Sequence, residues 1–525
     1  MRNLAHDPGA HATAMKSHGP MTIAKNSVAN LIRFAVSVLA AALLPPFLTR
    51  RLSHDMYAAW VLILQLGAYA AIFELGLQTA ISKFVAQHHA LEDHVGASSV
   101  VSTATALLAV SATLALMAVG VLVWQVPHLF GQLTPSLVHQ VRLGILLVGG
   151  ATALALPTTA LASSFQGVQR YNVPMVIGGG SQMLSAIAIV AAVFLHASLV
   201  VMGACVAVIT LGAGLVQIGA WRRYLSHIRI TASGVTRRTT RTIFNFCAAM
   251  SVSSFAMLLI SGLDTVIVGH FDFKQTGFYA VAASLTNFVI LTAGNVFSPL
   301  LPAASELAAL GDHAAVASLT LRSTRFCAVL LVLTGLPLLL YGYPILSLWV
   351  GADYARNSIL FLEILTVANI IRLSMLPYAV VVAGNGLQRY GWIAAIGEAV
   401  VNFALSIALC YRIGAVGVAL GTLIGAVVSV GLHFFYTMRY TQAAIPVRRV
   451  EFVLHGLARP LTCAAPLFAF FFFSWGNPAV YGFLPPALVV LLTAILLWTV
   501  GLTGSDRTIF GEALHNWRLN RLARA

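Results

Sequence analysis

The chain has 525 residues, of which 59% are hydrophobic and only 9% are charged. A water-soluble domain carries about 25% charged residues, so this composition excludes a soluble globular protein and indicates one that is embedded in lipid. The net charge of +15 would suggest a nucleic acid partner in a soluble protein. In a membrane protein, the meaning of this charge depends on which side of the membrane the basic residues occupy.

Residues 1–20 are polar, contain His and Pro, and lack an apolar core. We expect them to form a disordered tail rather than a signal peptide, with Met21 as an alternative start. The rest of the chain is divided by apolar stretches, each long enough to cross about 30 Å of hydrocarbon. They lie at about residues 23–48, 57–81, 98–124, 141–163, 173–195, 199–221, 243–268, 277–300, 326–349, 359–383, 392–411, 414–437, 457–475 and 482–503. We therefore predict an all-α, polytopic membrane protein with about 14 transmembrane helices.

Two short sequences each occur twice, 219 positions apart. Gly167-Val-Gln-Arg-Tyr171 returns as Gly386-Leu-Gln-Arg-Tyr390, and Ala90-Leu-Glu-Asp-His94 returns as Ala309-Leu-Gly-Asp-His313. This offset contains six spans, an even number, so both copies would cross the membrane in the same direction. The repeat predicts two parallel six-helix lobes around a central cavity, a transporter architecture, with two extra C-terminal helices.

These patterns predict seven segments along the chain. They are a tail at 1–20, an N-lobe at 21–221, a basic linker at 222–242, a C-lobe at 243–437, a second basic linker at 438–456, spans 13 and 14 within 457–503, and a tail at 504–525.

The positive charge is distributed unequally between the two sides of the membrane. With both termini in the cytoplasm, 22 of the 30 lysines and arginines lie on the cytoplasmic side, in the tails and the loops after even-numbered spans. This asymmetry follows the positive-inside rule, so it predicts the orientation of a multi-pass protein of the bacterial inner membrane. It also accounts for the basic composition without a nucleic acid partner.

The first span carries a polar face. Asn26, Asn30, Arg33 and Ser37 are spaced i, i+4, i+7 and i+11, which places them on one side of a helix. We interpret Arg33 as facing a cavity, where its planar fork would suit a phosphate or pyrophosphate. The alternative is that Arg33 snorkels to the cytoplasmic surface.

Span 10 carries a second deep arginine, Arg372, with Asn369 on a neighbouring face. A cavity contact to substrate and snorkelling explain its position almost equally well. Four acidic residues in or near the spans are candidates for a gate or an ion-coupling site. They are Glu74, Asp264, Glu363 and Glu398. Carboxylates that reach the interface are the alternative, and for Glu74 a pairing with Lys83 or with span 1.

No constellation in the sequence has the spacing of a catalytic nucleophile or a metal site. The five cysteines fall in predicted spans without paired spacing, so we predict small buried side chains rather than ligands or disulfides. The sequence accordingly predicts a protein that is not an enzyme and has no cofactor.

The segment Leu52–Ala86 resembles the opening of polysaccharide-export flippases of the Wzx/PST type. Asp55-Met-Tyr57, Trp60, Glu74-Leu-Gly-Leu77 and Lys83-Phe-Val-Ala86 carry the resemblance, with Glu74 where Asp is usual and Lys83 where Arg is usual. Gly262–Leu285, which contains Asp264, looks like the counterpart in the second lobe. The resemblance extends over about residues 21–440.

The resemblance implies membership of the multidrug/oligosaccharidyl-lipid/polysaccharide exporter superfamily, with two six-helix lobes and a basic cavity. It also implies the substrate, an undecaprenyl-pyrophosphate-linked oligosaccharide. The substrate would be turned from the cytoplasmic to the periplasmic leaflet for O-antigen, capsule or exopolysaccharide assembly, beside a polysaccharide polymerase and a chain-length regulator. The number of 14 spans also resembles that of the lipid II flippases of the same superfamily. Those flippases depend on arginines in their cavity, and one of these arginines lies in the first helix.

Two other functions remain open. A drug or metabolite antiporter of the multidrug branch would require carboxylates in mid-membrane and a less basic cavity. A membrane-embedded polymerase or ligase would require a sizeable extramembrane region with charged groups. The longest predicted outer loop, at about residues 125–140, contains no Asp, Glu, Lys or Arg. The sequence leaves open the sugar, the coupling ion, the oligomeric state and the role of spans 13 and 14.

Overall fold

The computed structural model describes residues 42–474, 484–504 and 506–508. In these residues the chain consists of helices joined by short turns, and no β-strand occurs among them. Ten helices in the described part are long and apolar enough to cross a membrane. The all-α membrane fold is therefore confirmed. The total of 14 spans stays a prediction, because the first span and the connection between the last two lie largely outside the described residues.

The helices are numbered to match the predicted spans. In the first half they are α1 (described over 42–51), α2 His54–Ala90, α3 His94–Leu129, α4 Pro135–Gly167, α5 Asn172–Phe194 and α6 Leu199–Tyr224. In the second half they are α7 Arg237–Met257 with Leu258–Phe271, α8 Thr276–Phe297 with Leu300–Ala309, α9 His313–Leu340, α10 Ala352–Leu373 with Leu376–Gly384, α11 Gln388–Ile413 and α12 Val416–Thr441. Then follow α13, in the pieces Arg449–Glu451, Phe452–Ala458, Arg459–Thr462 and Ala465–Ser474, and α14, Leu484–Leu496 with Leu497–Gly501. A short helix, Gly342–Val350, precedes α10.

Several of these helices are interrupted within the membrane. In α2 a 3₁₀ turn ends at Leu75 and Gly76, whose φ angles of 52° and 74° are left-handed. In α8 the break falls at Pro299, which has no N–H to continue the helix. Helices α7 and α12 instead contain π-helical turns, at Leu258–Gly262 and His433–Thr437. A π-helical turn interrupts the regular i→i−4 hydrogen bonds of the backbone, and such turns often occur at functional positions.

The described chain forms two compact units. The first unit includes the residues up to Phe255 and the segment Asp272–Gly277, and the second includes Ala256–Phe271 and the residues from Phe278 onward. The division falls inside α7, after the linker 222–242 at which the sequence predicts a boundary. A physical reason is that the linker backbone is bonded to α3. Ser102 Oγ donates to the Arg229 carbonyl at 3.2 Å, and Ser99 Oγ donates to the Gly234 carbonyl at 2.8 Å.

One of the two sequence echoes has the same geometry in both copies. Asp93 and Asp312 both cap the helix that follows, accepting hydrogen bonds from Gly96 N at 2.8 Å and from Ala315 N at 2.9 Å. The preceding residues, Glu92 and Gly311, both have left-handed φ angles, 54° and 68°. The hydrogen bond from the Gly96 backbone, followed by the one to His88, holds the pKa of Asp93 below its usual range.

The other echo differs in geometry between its copies. Both occurrences lie at the turn that connects two helices, α4 to α5 and α10 to α11. In the first, Gly167 is the last residue of α4 and the left-handed residue is Gln169. In the second, Gly386 itself is left-handed, and Gln388 already begins α11. The turn thus forms two residues earlier in the second copy. The two glycines differ in their surroundings, because a side-chain carbon at Gly167 would lie 2.8 Å from Val85 Cβ and one at Gly386 would have nothing within 4 Å.

Helices α11 and α12 pack unusually closely in the second unit. A side-chain carbon built at Gly425 of α12 would lie 2.9 Å from Cβ of Asn402 on α11. One built at Gly421 would lie 2.9 Å from Cα of Ser406. Small residues on a helix face allow this approach of two backbones in a membrane. The approach brings the polar side chains of α11 into contact with those of α12.

Helices α13 and α14 pack against α9 through an apolar cluster and an ionic one. Cys463, Leu467 and Leu497 meet Val332 and Leu336 in the apolar cluster. Just past the end of α14, the fully buried Asp506 carboxylate pairs with two arginines of α9. The contacts are Arg325 Nε–Oδ2 at 3.0 Å, Arg325 Nη2–Oδ1 at 3.2 Å and Arg322 Nε–Oδ1 at 3.3 Å. Thr503 adds its hydroxyl at 2.6 Å and its backbone N–H at 3.0 Å.

Candidate functional site

The predicted site residues of the first span lie outside the described residues, which begin at residue 42. They are Asn26, Asn30, Arg33 and Ser37. Their role as cavity contacts stays a prediction. The described candidates of the second unit, with the exception of Glu363, fall into one buried polar cluster on α7, α8, α10, α11 and α12.

Arg372 lies at the end of the first segment of α10, just before the break at Ser374 and Met375. Its Nε donates to Glu398 Oε1 at 2.5 Å, and its Nη1 donates to Asn369 Oδ1 at 3.2 Å. The Glu398 side chain is 4% exposed and that of Arg372 is 18% exposed. The ion pair with the buried Glu398 accounts for the position of the Arg372 guanidinium, so snorkelling to the surface is not needed to explain it. Its Nη2 is buried and has no hydrogen-bond partner, so one donor of the fork is unused.

Asp264 begins the last segment of α7, directly after the π-helical turn. Its side chain is buried, and Oδ2 accepts hydrogen bonds from Tyr279 Oη at 3.1 Å and from Thr422 Oγ1 at 3.0 Å. Oδ1 is buried as well and has no partner. Arg372 lies near enough for its charge to act on this carboxylate. A buried carboxylate with one unused oxygen is able to accept a proton or to bind a cation.

A stripe of polar side chains on α11 connects the two groups. Glu398, Asn402 and Ser406 are spaced i, i+4 and i+8 and therefore lie on one face of the helix. Asn402 Nδ2 donates to the Ile260 carbonyl in the π-helical turn of α7 at 2.5 Å. Its Oδ1 lies 2.9 Å from Ser406 Oγ and 3.4 Å from Thr422 Oγ1.

Acceptors outnumber donors around this stripe. The Ser406 hydroxyl lies near Asn402 Oδ1 and, at 3.3 Å, near the Val418 carbonyl. The Thr422 hydroxyl lies near Asn402 Oδ1, Asp264 Oδ2 and, at 3.1 Å, the Val418 carbonyl. Each hydroxyl has one proton to donate, and Asp264 Oδ1 is left as a buried oxygen without a donor. An all-oxygen cluster around a carboxylate is suited to a hard cation.

Two of the predicted acidic residues do not join this cluster. Glu363 is partly buried on α10, before Arg372, and takes part in none of the contacts above. Glu74 lies at the break in α2, where its carboxylate accepts from Gln78 Nε2 at 2.7 Å and from Gln78 N at 3.3 Å. The considered pairing with Lys83 is not formed, because the Lys83 ammonium lies 4.6 Å from the centre of the Phe246 ring.

Sequence reasoning found Asp264, Asn369, Arg372 and Glu398 but missed their neutral partners. These are Tyr279, Asn402, Ser406 and Thr422. The four-residue spacing of Glu398, Asn402 and Ser406 was a usable signal. Thr422 and Tyr279 give no such signal, because each is a single hydroxyl residue in an apolar span and belongs to no spaced set of polar residues. Elsewhere, none of the five cysteines forms a disulfide, and the described residues contain no group of three His, Cys, Asp or Glu side chains that could hold a metal ion.

Comparison with known sequences finds two relevant relatives, whereas no family model matches the chain. The "Putative O-antigen transporter" of Shigella flexneri is 23% identical over 427 residues, which are 79% of this chain and 98% of the relative. The "Probable low-salt glycan biosynthesis flippase Agl15" of Haloferax volcanii is 24% identical over 230 residues, which are 43% of this chain and 47% of that protein.

Comparison with solved structures identifies the fold. An inward closed conformation of the lipid II flippase MurJ aligns with a TM-score of 0.67 at 13% identity, covering 93% of this chain and 99% of MurJ. An inward-facing multidrug resistance transporter of the MATE family, in the MOP superfamily, aligns with a TM-score of 0.63 at 13% identity, covering 79% and 98%. These likenesses concern the fold alone.

The sequence and the fold agree on one assignment. MurJ and MATE transporters share the architecture, and the relatives that match in sequence are named as transporters and flippases of glycans. The resemblance seen at Leu52–Ala86 is therefore confirmed: the chain is similar in sequence to an O-antigen transporter and to a glycan flippase, and it has the fold that MurJ and the MATE transporters share.

Proposed function

We propose that this protein flips undecaprenyl-pyrophosphate-linked oligosaccharide from the cytoplasmic to the periplasmic leaflet, for O-antigen, capsule or exopolysaccharide assembly. The observation that carries the proposal is the match over 98% of the length of an O-antigen transporter relative. The polar cluster of the second unit supports it, since a buried arginine and a buried carboxylate supply the two kinds of contact that an ion-coupled flippase of a pyrophosphate needs. Transport proceeds by alternating access between two lobes.

Arg372 is the contact of the second unit for the pyrophosphate, together with Asn369. Its unused Nη2 is a donor that a phosphate oxygen can fill, and a charged donor to phosphate makes a strong hydrogen bond. Glu398 holds the guanidinium in place when substrate is absent. Arg33, with Asn26, Asn30 and Ser37, supplies the corresponding contact from the first span.

Asp264 is the ion-coupling residue. Its free oxygen, the Asn402 oxygen and the Thr422 hydroxyl form an oxygen-lined position for a proton or a small monovalent cation. Occupancy of this position gives Asp264 Oδ1 a partner, and Asn402 transmits the change to the π-helical turn of α7 through its bond to Ile260. Glu74 and Glu363 remain gate candidates at other places along the path.

The setting of this activity is the bacterial inner membrane, with both termini in the cytoplasm. The distribution of lysine and arginine supports this orientation. A polysaccharide polymerase and a chain-length regulator are the partners that would use the flipped product.

A multidrug or metabolite antiporter is the second candidate. The observation that favours it is the MATE-like fold together with a buried carboxylate in the second unit. The buried arginine favours an anionic substrate instead, because its unused Nη2 is a donor that the oxygen of an anion can accept and that a cationic drug cannot.

The two candidates are separated by a strain that lacks its own O-antigen flippase and its drug exporters. The flippase proposal expects the gene to clear lipid-linked oligosaccharide from the inner leaflet and to leave drug sensitivity unchanged. Arg33→Ala should lose about 10- to 150-fold in substrate affinity, and Arg33→Lys should retain part of the function. Drug resistance without clearance would support the antiporter, and full clearance by Arg33→Ala at matched protein level would remove Arg33 from the site.

A further inference from the structure

The end of the second unit at which α11 begins and α12 ends carries arginines and tyrosines that the polar cluster does not use. We call them the arginine–tyrosine cluster: Arg389, Tyr390, Tyr436, Arg439 and Tyr440. Arg389 and Tyr390 close the second copy of the repeated sequence Gly386–Tyr390, for which transport chemistry offers no role.

The tyrosines form a stack that positions the arginines. The rings of Tyr390 and Tyr440 lie parallel, with centroids 5.8 Å apart and an interplanar angle of 4°, and the Tyr436 ring lies 4.7 Å from Tyr440. The Arg389 guanidinium lies 4.7 Å from the Tyr390 ring and donates through Nη2 to Tyr390 Oη at 2.8 Å. The Arg439 guanidinium lies 6.0 Å from the Tyr440 ring. Cation–π contacts of this kind hold a guanidinium in place without neutralising it.

The cluster is fixed to the helices beneath it and open to its surroundings. The fully buried Thr437 of α12 donates through Oγ1 to the Tyr390 carbonyl at 3.2 Å, which ties α12 to the start of α11. Tyr440 is 52% exposed, and both arginines are exposed. The arginines are therefore accessible at defined positions.

A neighbouring pair indicates that this surface lies at the boundary of the hydrocarbon. Phe435 is 73% exposed, an unusual position for a phenylalanine in water, and the Arg449 guanidinium lies 5.5 Å from its ring. An exposed aromatic ring with a cation beside it is typical of the zone between acyl chains and headgroups. Residues 385–393 and 433–450 together contain four arginines and no Asp or Glu, and Glu451 follows directly, so this surface carries an excess of positive charge.

We propose that the arginine–tyrosine cluster binds the phosphate of an anionic phospholipid headgroup in the adjacent leaflet. Arginine has five N–H donors, and Arg389 uses one of them on Tyr390, so donors remain for phosphate oxygens. A sugar is a poorer occupant, because the parallel stack and the guanidiniums already cover tyrosine faces. The inference does not depend on the substrate that the protein transports.

The test is native mass spectrometry of the purified full-length protein in detergent, titrated with phosphatidylglycerol and, separately, with phosphatidylethanolamine. Arg389→Gln/Arg439→Gln should weaken phosphatidylglycerol binding about 25-fold, about fivefold for each charge removed, and should leave phosphatidylethanolamine binding unchanged. Tyr390→Phe, which removes only the hydroxyl that accepts from Arg389, should produce a smaller loss. Arg237→Gln/Arg238→Gln, an equal charge change on exposed residues of the first unit, is the matched control and should bind like the wild type.

Each contrary outcome points to a different error. Equal weakening by the control pair would show that net charge, and not this cluster, sets the affinity. Equal weakening for both lipids would overturn the preference for an anionic headgroup, because phosphatidylethanolamine carries a phosphate as well. Unchanged phosphatidylglycerol binding in Arg389→Gln/Arg439→Gln would overturn the proposal, and a loss of flipping beside that result would assign the arginines to the transported substrate.

Discussion

Two buried ionic clusters in the second unit use the same side-chain types in opposite ways. At Asp506 both carboxylate oxygens are bonded, to Arg325 and Arg322 and to Thr503. At Arg372 and Asp264 the bonding is incomplete, because Nη2 of the arginine and Oδ1 of the aspartate are buried without partners. A protein leaves few buried polar groups unpaired, so the incomplete cluster is the one to which a ligand is expected to bind.

The comparison separates a structural role from a functional one. The Asp506 cluster joins the segment after α14 to α9, and both oxygens of its carboxylate already have partners, so we expect its effect to be on stability. The Arg372–Asp264 cluster leaves two buried atoms without partners, so we expect its effect to be on transport. Removing a group from each should therefore change different measurements.

The largest effect is expected from Asp506→Ala. Removal of one partner from a buried ion pair costs about 3–5 kcal/mol, because Arg322 and Arg325 keep their charges without a counter-charge. Thermal unfolding in detergent should report the loss. Transport per folded molecule should persist, which a flipping assay at matched protein level checks. A normal melting temperature would contradict the structural role, and a flipping defect in correctly folded protein would contradict the separation of roles.

Arg372→Ala should have the next largest effect, on substrate affinity. Loss of a charged hydrogen bond of about 1.5–3 kcal/mol weakens binding about 10- to 150-fold. Arg372→Lys keeps the positive charge but lacks the two-pronged geometry of arginine, so it should retain part of the substrate affinity. Because Arg372→Ala leaves Glu398 buried and unpaired, the control is Arg372→Gln/Glu398→Gln, which removes both charges. If the double variant binds substrate normally, Arg372 is a structural residue.

Gly425→Ala tests whether the packing of α11 on α12 supports the cluster. The added carbon would meet Cβ of Asn402, and overpacking of this kind costs about 1–3 kcal/mol. We expect a lower melting temperature and reduced transport, because Asn402 and Thr422 are moved apart. Gly431→Ala, on the same helix with open space around the new carbon, is the matched control and should behave like the wild type.

The smallest effect is the pH dependence of the Asp506 cluster, which lies outside the membrane spans. Burial raises the pKa of Asp506, but the hydrogen bonds from Arg325 and Thr503, with the Arg325 charge, outweigh it and leave the pKa below its usual range. A lowered pKa contributes stability above the unfolded value of about 4, and the contribution is lost as the pH falls through the folded value. The melting difference between wild type and Asp506→Asn should thus be constant near neutrality and shrink below about pH 4. A difference that shrinks near pH 7 would contradict this assignment.

The sequence predicted the membrane fold and the charged members of the site, for separate reasons. Apolar length and the rarity of charges identify spans, so Arg372, Glu398 and Asp264 were conspicuous as soon as the spans were assigned. Their pairing was not predictable, because it depends on which faces of α10 and α11 meet. The π-helical turns were also missed, since no local sequence pattern distinguishes Leu258–Gly262 from ordinary helix.

The echo at Gly167 and Gly386 shows the same limit. Five nearly identical residues form two different turns, since the glycine adopts a left-handed φ in only one of them. The echo at Asp93 and Asp312 kept its geometry because a capping aspartate requires a particular backbone at its own position. A repeated sequence therefore predicts the same turn conformation where one of its side chains makes a hydrogen bond to the neighbouring backbone.

Flipping by the purified protein in proteoliposomes tests the central claim most directly. The vesicles would contain an undecaprenyl-pyrophosphate-linked oligosaccharide, and a membrane-impermeant glycosidase would report its passage between leaflets. We expect transport by the wild type and by Asp506→Asn, and none by Asp264→Asn at equal reconstitution. Wild-type flipping by Asp264→Asn, or no flipping by the wild type, would contradict the account.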